Sequence, residues 1–177
     1  MKFGIIFISV IVLLFSSGCK RTVKYKTVDH YNEFEVLLPD NFKQLLMPQS
    51  NAPFKLGSRK DDFYITISSE RIDKLNEVGL DYDLEMYANV SLQITKTKMN
   101  STDFVEIIED SKISNGMGKI SYSFTDIDDL TSEQFFYSLS FFKGDSNFYA
   151  ILTWCLESDK EKHIGTMKHI HSSFKEK

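Results

Sequence analysis

EQFFYSLSFFKGDSNFYAILTWC, residues 133–155, is the stretch that decides the fold. Phe135, Tyr137, Leu139 and Phe141 alternate with Phe136 and Phe142, so the first strand carries apolar side chains on both faces. Lys143-Gly144-Asp145-Ser146-Asn147 then reads as a turn, and a second strand follows in which Phe148, Ala150, Leu152 and Trp154 oppose Tyr149 and Ile151. An antiparallel strand with one face in water alternates apolar with polar residues. Strands that break this rule sit centrally in a sheet that is covered on both sides, and the covers must come from elsewhere in the chain.

Two segments can supply those covers. From about Asp83 to Lys98, at about 100° per residue, Leu84, Tyr87, Ala88, Val90, Leu92 and Ile94 fall on one broad face, with Glu85, Asn89, Gln93 and Lys96 opposite. A second helix opens at Ser158-Asp159-Lys160-Glu161, which has the spacing of a capping box, and buries Ile164, Met167, Ile170 and Phe174. The expected fold is therefore α+β: an antiparallel sheet of about six to seven strands flanked by two main helices, an α/β/α sandwich. The rival arrangement leaves one aromatic-lined sheet face open as a groove for an apolar ligand.

Other strands read more simply. Phe34, Val36 and Leu38 alternate before the turn Pro39-Asp40-Asn41, and residues 54–58 and 63–67 are joined around Lys60-Asp61-Asp62. Val105 and Ile107 mark a further strand, and Asn115-Gly116 predicts a hairpin continued by Ile120, Tyr122 and Phe124. The strand ending Leu38-Pro39-Asp40-Asn41-Phe42, the mid-chain helix, the aromatic hairpins, Tyr149-Ala150-Ile151-Leu152-Thr153-Trp154 and a last helix ending Ser172-Ser173-Phe174 resemble the PsbP/Mog/DcrB-like fold over roughly residues 30 to 175. That resemblance implies an antiparallel sheet between helices, and its bacterial members include small lipoproteins. It implies no activity: members serve as photosystem II accessory subunits, as a binder of the small GTPase Ran, and as envelope proteins. No functional residue of the family carries over to a position in this chain.

The N-terminus has a different character. Lys2 precedes an apolar run from Phe3 to Phe15, too short for the roughly 20 residues a membrane-spanning helix needs, and Ser16-Ser17-Gly18 leads directly to Cys19. Phe15-Ser16-Ser17-Gly18-Cys19 resembles the bacterial lipobox, with serine at the third place before the cysteine where leucine is usual. The resemblance implies cleavage before Cys19 and acyl chains on that residue, each buried methylene contributing about 0.8 kcal/mol to membrane attachment. The expected organisation is a signal peptide at 1–18, a lipidated N-terminus and basic linker at 19–32, and a single domain at 33–177. Lys20, Arg21, Lys24 and Lys26 lie ahead of the first acid, Asp29. This segment either lies along anionic headgroups or is a solvated linker, and the sequence leaves both open.

A net charge of −4 argues against nucleic acid as a partner, because phosphate-backbone binding needs clustered Lys and Arg. With Cys19 lipidated, Cys155 has no disulfide partner and reads as a small buried hydrophobe. His163, His169 and His171 suggest a metal site only until helix geometry is applied. His169 and His171 point about 200° apart, and His163 lies about 12 Å along the axis from His171, too far for one ion. Asp126-Ile127-Asp128-Asp129 and Asp61-Asp62 read as solvated turns, since the glycine and distal glutamate of a calcium loop are missing. There is no nucleophile elbow, zincin pair or Walker lysine. The sequence expectation is a non-enzymatic, membrane-tethered accessory or binding protein of the cell envelope, without metal or cofactor. It would face the periplasm of a Gram-negative bacterium, on the outer rather than the inner membrane, with an unidentified envelope protein as partner. Cys19 is the one residue with an assigned chemical fate.

Overall fold

The alternation at residues 133–155 becomes a hairpin that runs through the middle of the molecule. The computed structural model describes residues 23–45, 52–98, 109–128 and 131–177. Cys19, the apolar run before it and the strand expected at Val105 and Ile107 lie outside the described residues. In chain order the strands are β1 (Tyr25–His30), β2 (Phe34–Pro39), β3 (Lys43–Gln44), β4 (Phe54–Ser58), β5 (Phe63–Arg71), β6 (Glu109–Ser114), β7 (Met117–Ile127), β8 (Gln134–Lys143), β9 (Asn147–Leu156) and β10 (Lys175–Glu176). The helices are α1 (Ile72–Glu77), α2 (Leu84–Lys98) and α3 (Lys160–Ser173). Among the described residues the main sheet has seven strands in the order β3-β4-β5-β9-β8-β7-β6, and a second sheet has three, β1-β2-β10. Every pairing is antiparallel.

The two faces of the hairpin enter two separate cores. On one side Phe136, Phe142, Tyr149, Ile151 and Cys155, with Phe63, Ile65 and Ile67 of β5, pack under β2 and α3. The covering side chains are Phe34, Val36 and Leu38 from β2, and Met167 and Ile170 from α3. On the other side Leu139, Phe141 and Phe148, joined by Ile120, Tyr122 and Phe124 of β7, pack under Tyr87, Ala88 and Leu92 of α2. Each fully buried Phe or Leu contributes roughly 1.5–3 kcal/mol. The α+β sandwich is as expected, with one addition: β2 belongs to the small sheet and shares the cover with α3.

Four local expectations are corrected. Val90 and Ile94 are not on the packed face of α2 but 41% and 51% exposed. The buried seam is Tyr87, Ala88 and Leu92, with Ser91 and Thr95 half-buried, because the helix is rotated to stack Tyr87 flat on Phe148 at 4.4 Å. The capping box at Ser158 and Glu161 does not form. The chain leaves β9 directly into a 3-10 turn, Glu157–Asp159, so Ser158 lies within helical backbone, and Asp159 precedes α3 without a side-chain cap. Residues 25–30 are not linker but β1, paired along its length with β2. Lys26 is accordingly not a headgroup contact: its ammonium donates to the carbonyls of Asp40 (3.1 Å) and Phe42 (2.8 Å). The fourth correction adds elements. Helix α1 and the two-residue strands β3 and β10 are too short for any periodicity to announce.

The Asn115-Gly116 hairpin forms as expected, with φ of 52° and 85° as a type I′ turn requires. Asn115 does more than turn the chain: its amide donates to the carbonyls of Ser172 (3.1 Å) and Phe174 (2.8 Å), satisfying backbone at the end of α3. The C-terminus is also held from the β8–β9 turn. The carboxylate of Glu176 accepts from the amides of Asp145 and Ser146, the Asn147 amide group (3.1 Å) and the Tyr149 hydroxyl (2.9 Å). Gly144 makes this possible, since a Cβ there would collide with the Glu176 carboxylate. Gly144→Ala should therefore expel the carboxylate and cost about 2 kcal/mol, the worth of a charged hydrogen-bond set. Urea denaturation of Gly144→Ala, Glu176→Ala and the double variant checks this: the two losses should be far from additive, and full additivity would refute the contact.

Candidate functional site

On the α3 side of the sheet, β7 and β8 present hydroxyls where apolar residues would be expected. Side chains alternate along a strand, so Ser121-Tyr122-Ser123 and Ser138-Leu139-Ser140 each send two serines to the α3 face and one large residue to the α2 face. The antiparallel register sets Ser121 opposite Ser140 and Ser123 opposite Ser138. Four serines thus form the floor of a cleft of about 180 Å³ between these strands and α3. Phe136, Ile164 and Met167 make its apolar wall, and Lys119 and Lys168, half-buried and exposed, stand where it opens. Among the described residues no carboxylate lines it.

The inner pair of serines is part of a buried chain of hydrogen bonds. Ser121 Oγ lies 2.7 Å from Ser140 Oγ, Ser140 Oγ lies 2.6 Å from His171 Nδ1, and His171 Nε2 lies 3.1 Å from Thr153 Oγ1. Thr153 donates its hydroxyl to the Ser138 carbonyl at 3.3 Å, so it must accept from His171, and the imidazole proton is on Nε2. Nδ1 then accepts from Ser140, which in turn accepts from Ser121. Burial, helped by the positive charge of Lys119, pushes the His171 pKa down to about 3, so the ring is neutral.

A serine hydroxyl donating to a histidine has the outline of an activated nucleophile. Three features deny it that role: Ser140 is 0% exposed, the imidazole bears on a neutral hydroxyl instead of a carboxylate, and a ring whose protonated form has a pKa near 3 is too weak a base to take the serine proton. What the network does is immobilise the floor. The outer pair differs, since Ser123 and Ser138 are half-buried and their hydroxyls make no hydrogen bond to another described residue.

The other sequence candidates do not converge. His163 is buried against Phe63, ring centroids 4.6 Å apart, and burial lowers its pKa. His169 faces outward and packs on Tyr25 at 4.4 Å. Among the described residues no three His, Cys, Asp or Glu side chains group as metal ligands. Cys155 is buried, and that burial pushes its thiol up to about 12, leaving it unreactive. Asp61 is not simply solvated: it accepts from Asn41 and Ser58, both at 2.8 Å, and these bonds hold its carboxyl below the usual range. Asp128 accepts from the Thr131 amide at 2.8 Å in an ordinary turn. Cys19 lies outside the described residues. The hydroxyl cleft is not among the sequence candidates; the signal for it is the paired Ser-x-Ser pattern in strands otherwise rich in aromatics.

The opposite face carries a second feature. Beyond the cover of α2, Tyr64, Trp154 and Tyr137 form a half-buried row across β5, β9 and β8, with centroid spacings of 5.5 and 6.3 Å, and Phe124 stacks on Tyr137 at 5.0 Å. Gly57 keeps this row flat, since a Cβ there would meet the Tyr64 ring at 2.6 Å.

Neither protein-family models nor curated protein sequences match this chain. Solved structures do. The solution structure of cyanobacterial PsbP (CyanoP) from Synechocystis sp. PCC 6803 superposes with a TM-score of 0.59 at 12% identity, over 93% of this chain and 99% of that one. A mutant of the protein Mog1 gives 0.56 at 10% identity, over 86% and 95%. LpqN, described as involved in cell envelope biogenesis of Mycobacterium tuberculosis, gives 0.51 at 11% identity, over 87% and 91%. The class is therefore an antiparallel α+β sandwich with a small second sheet. More particularly, the chain has the PsbP/Mog-like fold.

The neutral His171 has a measurable consequence. Its folded pKa of about 3 lies below the ordinary 6.5, so between these values the unfolded chain binds the extra proton. Stability from this residue is complete above pH 6.5 and is lost as the pH falls toward 3, by up to about 1.4 kcal/mol per unit. His171→Gln should be less stable than the parent at pH 7, yet lose roughly 2–3 kcal/mol less between pH 6.5 and 4.5. Urea midpoints across that range test it, and parallel pH profiles would contradict a neutral buried imidazole.

Proposed function

We propose that this chain is a lipid-anchored, non-enzymatic binding protein of the bacterial cell envelope, attached through Cys19 and working against the membrane that holds it. The observation that carries this reading is the length of the tether. The carbonyl of Lys24 already accepts from Asp40 N at 2.9 Å and β1 begins at Tyr25, so only residues 20–24 separate Cys19 from the fold. Five extended residues reach about 17 Å. Among the described residues no helix is long and apolar enough to cross a membrane, so attachment falls to the lipobox-like cysteine. The fold it shares with LpqN, a protein described as involved in cell envelope biogenesis, supports the same address. Lys20 follows Cys19 with no aspartate beside it, and the domain is assigned to the periplasmic side of the outer membrane with an envelope protein as partner. Binding is favoured over catalysis because Ser140 and His171, paired as nucleophile and base would be, are sealed and inert.

The test is metabolic labelling with an alkyne-bearing fatty acid, followed by membrane fractionation. The parent chain should take up label and sediment with membranes, while Cys19→Ser should lose at least tenfold of the label and appear unprocessed or released. Undiminished membrane partition of Cys19→Ser would sink the reading.

A second reading, a carrier or sensor of apolar ligands, is favoured by the aromatic row of Tyr64, Trp154 and Tyr137. Trp154 is the only tryptophan, so long-chain fatty acid titrated into the protein should shift its fluorescence saturably if that row is a ligand face. An unchanged spectrum removes this alternative.

A further inference from the structure

We infer that the aromatic row of Tyr64, Trp154 and Tyr137 is the surface by which the domain seats against a lipid bilayer, its rings lying at the depth of the headgroups. This deepens the proposed function and rests on the anchor at Cys19, which is what brings a bilayer to the row.

One end of the molecule gathers both features. The tether enters the fold where the Lys24 carbonyl accepts from the Asp40 amide at 2.9 Å. The next residue, Asn41, donates its side-chain amide to Ser58 Oγ at 3.2 Å and to Asp61 Oδ2 at 2.8 Å. Asp62 in turn accepts from the Tyr64 hydroxyl at 3.0 Å. A short run of hydrogen bonds thus joins the point of attachment to the row. Strand register brings the other rings to the same end, since Tyr64 faces Trp154 and Trp154 faces Tyr137. The stack of Tyr87 of α2 on Phe148 lies six residues back along β9, about 20 Å away.

The composition of this end fits an interface between water and hydrocarbon. Tyr64 and Trp154 belong to neither core, and they are half-buried, as is Tyr137. A sheet surface turned only to water carries polar residues at such positions. Tyrosine and tryptophan instead collect at membrane interfaces, because each joins a broad apolar ring to a polar tip. Phe135, half-buried with its ring 6.4 Å from Tyr137, and Ile127, 58% exposed at the end of β7, widen the apolar surface. Asp62, Asp126, Asp128, Glu133 and Arg59 all act on the two tyrosine hydroxyls, so the rim carries both signs of charge. Attraction therefore comes from the rings and not from an anionic leaflet.

Reach agrees with this seating. The row is on the face of the main sheet opposite β2, and packed layers stand about 10 Å apart. A tether of about 17 Å spans that distance. β1 leads away from the attachment point, and about 20 Å on, its turn holds out Tyr31, 91% exposed. A seated domain dips Trp154 into the headgroups and keeps Tyr31 in water.

Trp154 is the only tryptophan, so its emission reports its own depth. Full-length protein purified from membranes, its acyl mass checked, is reconstituted into phosphatidylcholine vesicles with plain or brominated acyl chains. Bromine should quench Trp154 about twofold or more, and added salt should change this little. Trp154→Phe/Tyr31→Trp, with the reporter at the far end, should be quenched at least fivefold less. Tyr64→Ser/Phe135→Ser should lose about half of the quenching. Should that pair perturb folding, Trp154→Phe/Tyr64→Trp, which keeps the row aromatic, should be quenched like the parent. Unquenched Trp154 in the acylated protein overturns the seat and leaves the anchor standing, as does equal quenching of the reporter at Tyr31. Quenching abolished by an equivalent of oleate marks a fatty-acid groove, and emission that follows protein concentration but not bromine marks a second copy; either overturns the proposal. A protein without acyl mass sinks the anchor, while quenching of that protein at high lipid concentration would still uphold the row.

Discussion

β9 has no polar side to give to water, and the rest of the molecule is arranged around that fact. Its residues Tyr149, Ile151 and Cys155 are fully buried in one core, while Phe148 is fully buried in the other. A strand in this position demands neighbours on both edges and a layer on both faces. The edges are filled by β5 and β8, each registered along the strand. The layers come from segments far apart in sequence: β2 near the start, α2 in the middle and α3 at the end. Phe174 completes the closure, its ring 5.3 Å from Phe34, 5.0 Å from Phe142 and 5.0 Å from Tyr149. The second and last strands then meet as β2 and β10, so the native state is assembled from long-range contacts, a topology that folds slowly compared with helical bundles.

How much of this could be read from residues follows from what each pattern encodes. Two-sided apolar strands state that both faces are covered, which holds except where Tyr64, Trp154 and Tyr137 run on beyond α2, and Asn115-Gly116 states a type I′ turn by its demand for positive φ, which the structure has. The identity of the cover is harder. Phe34, Val36 and Leu38 alternate like any half-buried strand, and nothing local says they belong to a second sheet lying over the first. The direction of a helix is similarly soft. Val90 and Ile94 sit at the margin of a broad apolar arc on α2, and the stacking of Tyr87 on Phe148 decides which edge of that arc is buried. Capping at Ser158 fails for a related reason, because β9 runs without a break into helical backbone and the extended residue at that junction is Leu156, whose side chain cannot accept a hydrogen bond.

The site was legible in half. Period two along β7 and β8 places Ser121, Ser123, Ser138 and Ser140 on a common side as soon as the strands are drawn, but only the register shows that they face each other in pairs. The role of His171 required the fold. On a helical wheel it borders the apolar stripe, which suggests a core-edge residue. In the structure it is buried and bonded at both nitrogens. A buried imidazole left unbonded would cost on the order of 1–3 kcal/mol per orphaned polar group, and two hydroxyls from two strands, Ser140 of β8 and Thr153 of β9, remove that cost. The polar residues of this face are thus mutually dependent, which single-residue patterns cannot express.

That dependence also reaches the cleft. Serines on a paired strand have their backbone fixed and a single side-chain torsion to set. The Ser121–Ser140–His171–Thr153 chain uses that fixed geometry to keep the inner hydroxyls of the floor turned inward. Removing any link of that chain frees a donor or strands an acceptor in a buried place. The constraint that makes β9 central extends to this point, because Thr153, the last link, is a residue of that strand and is buried within it.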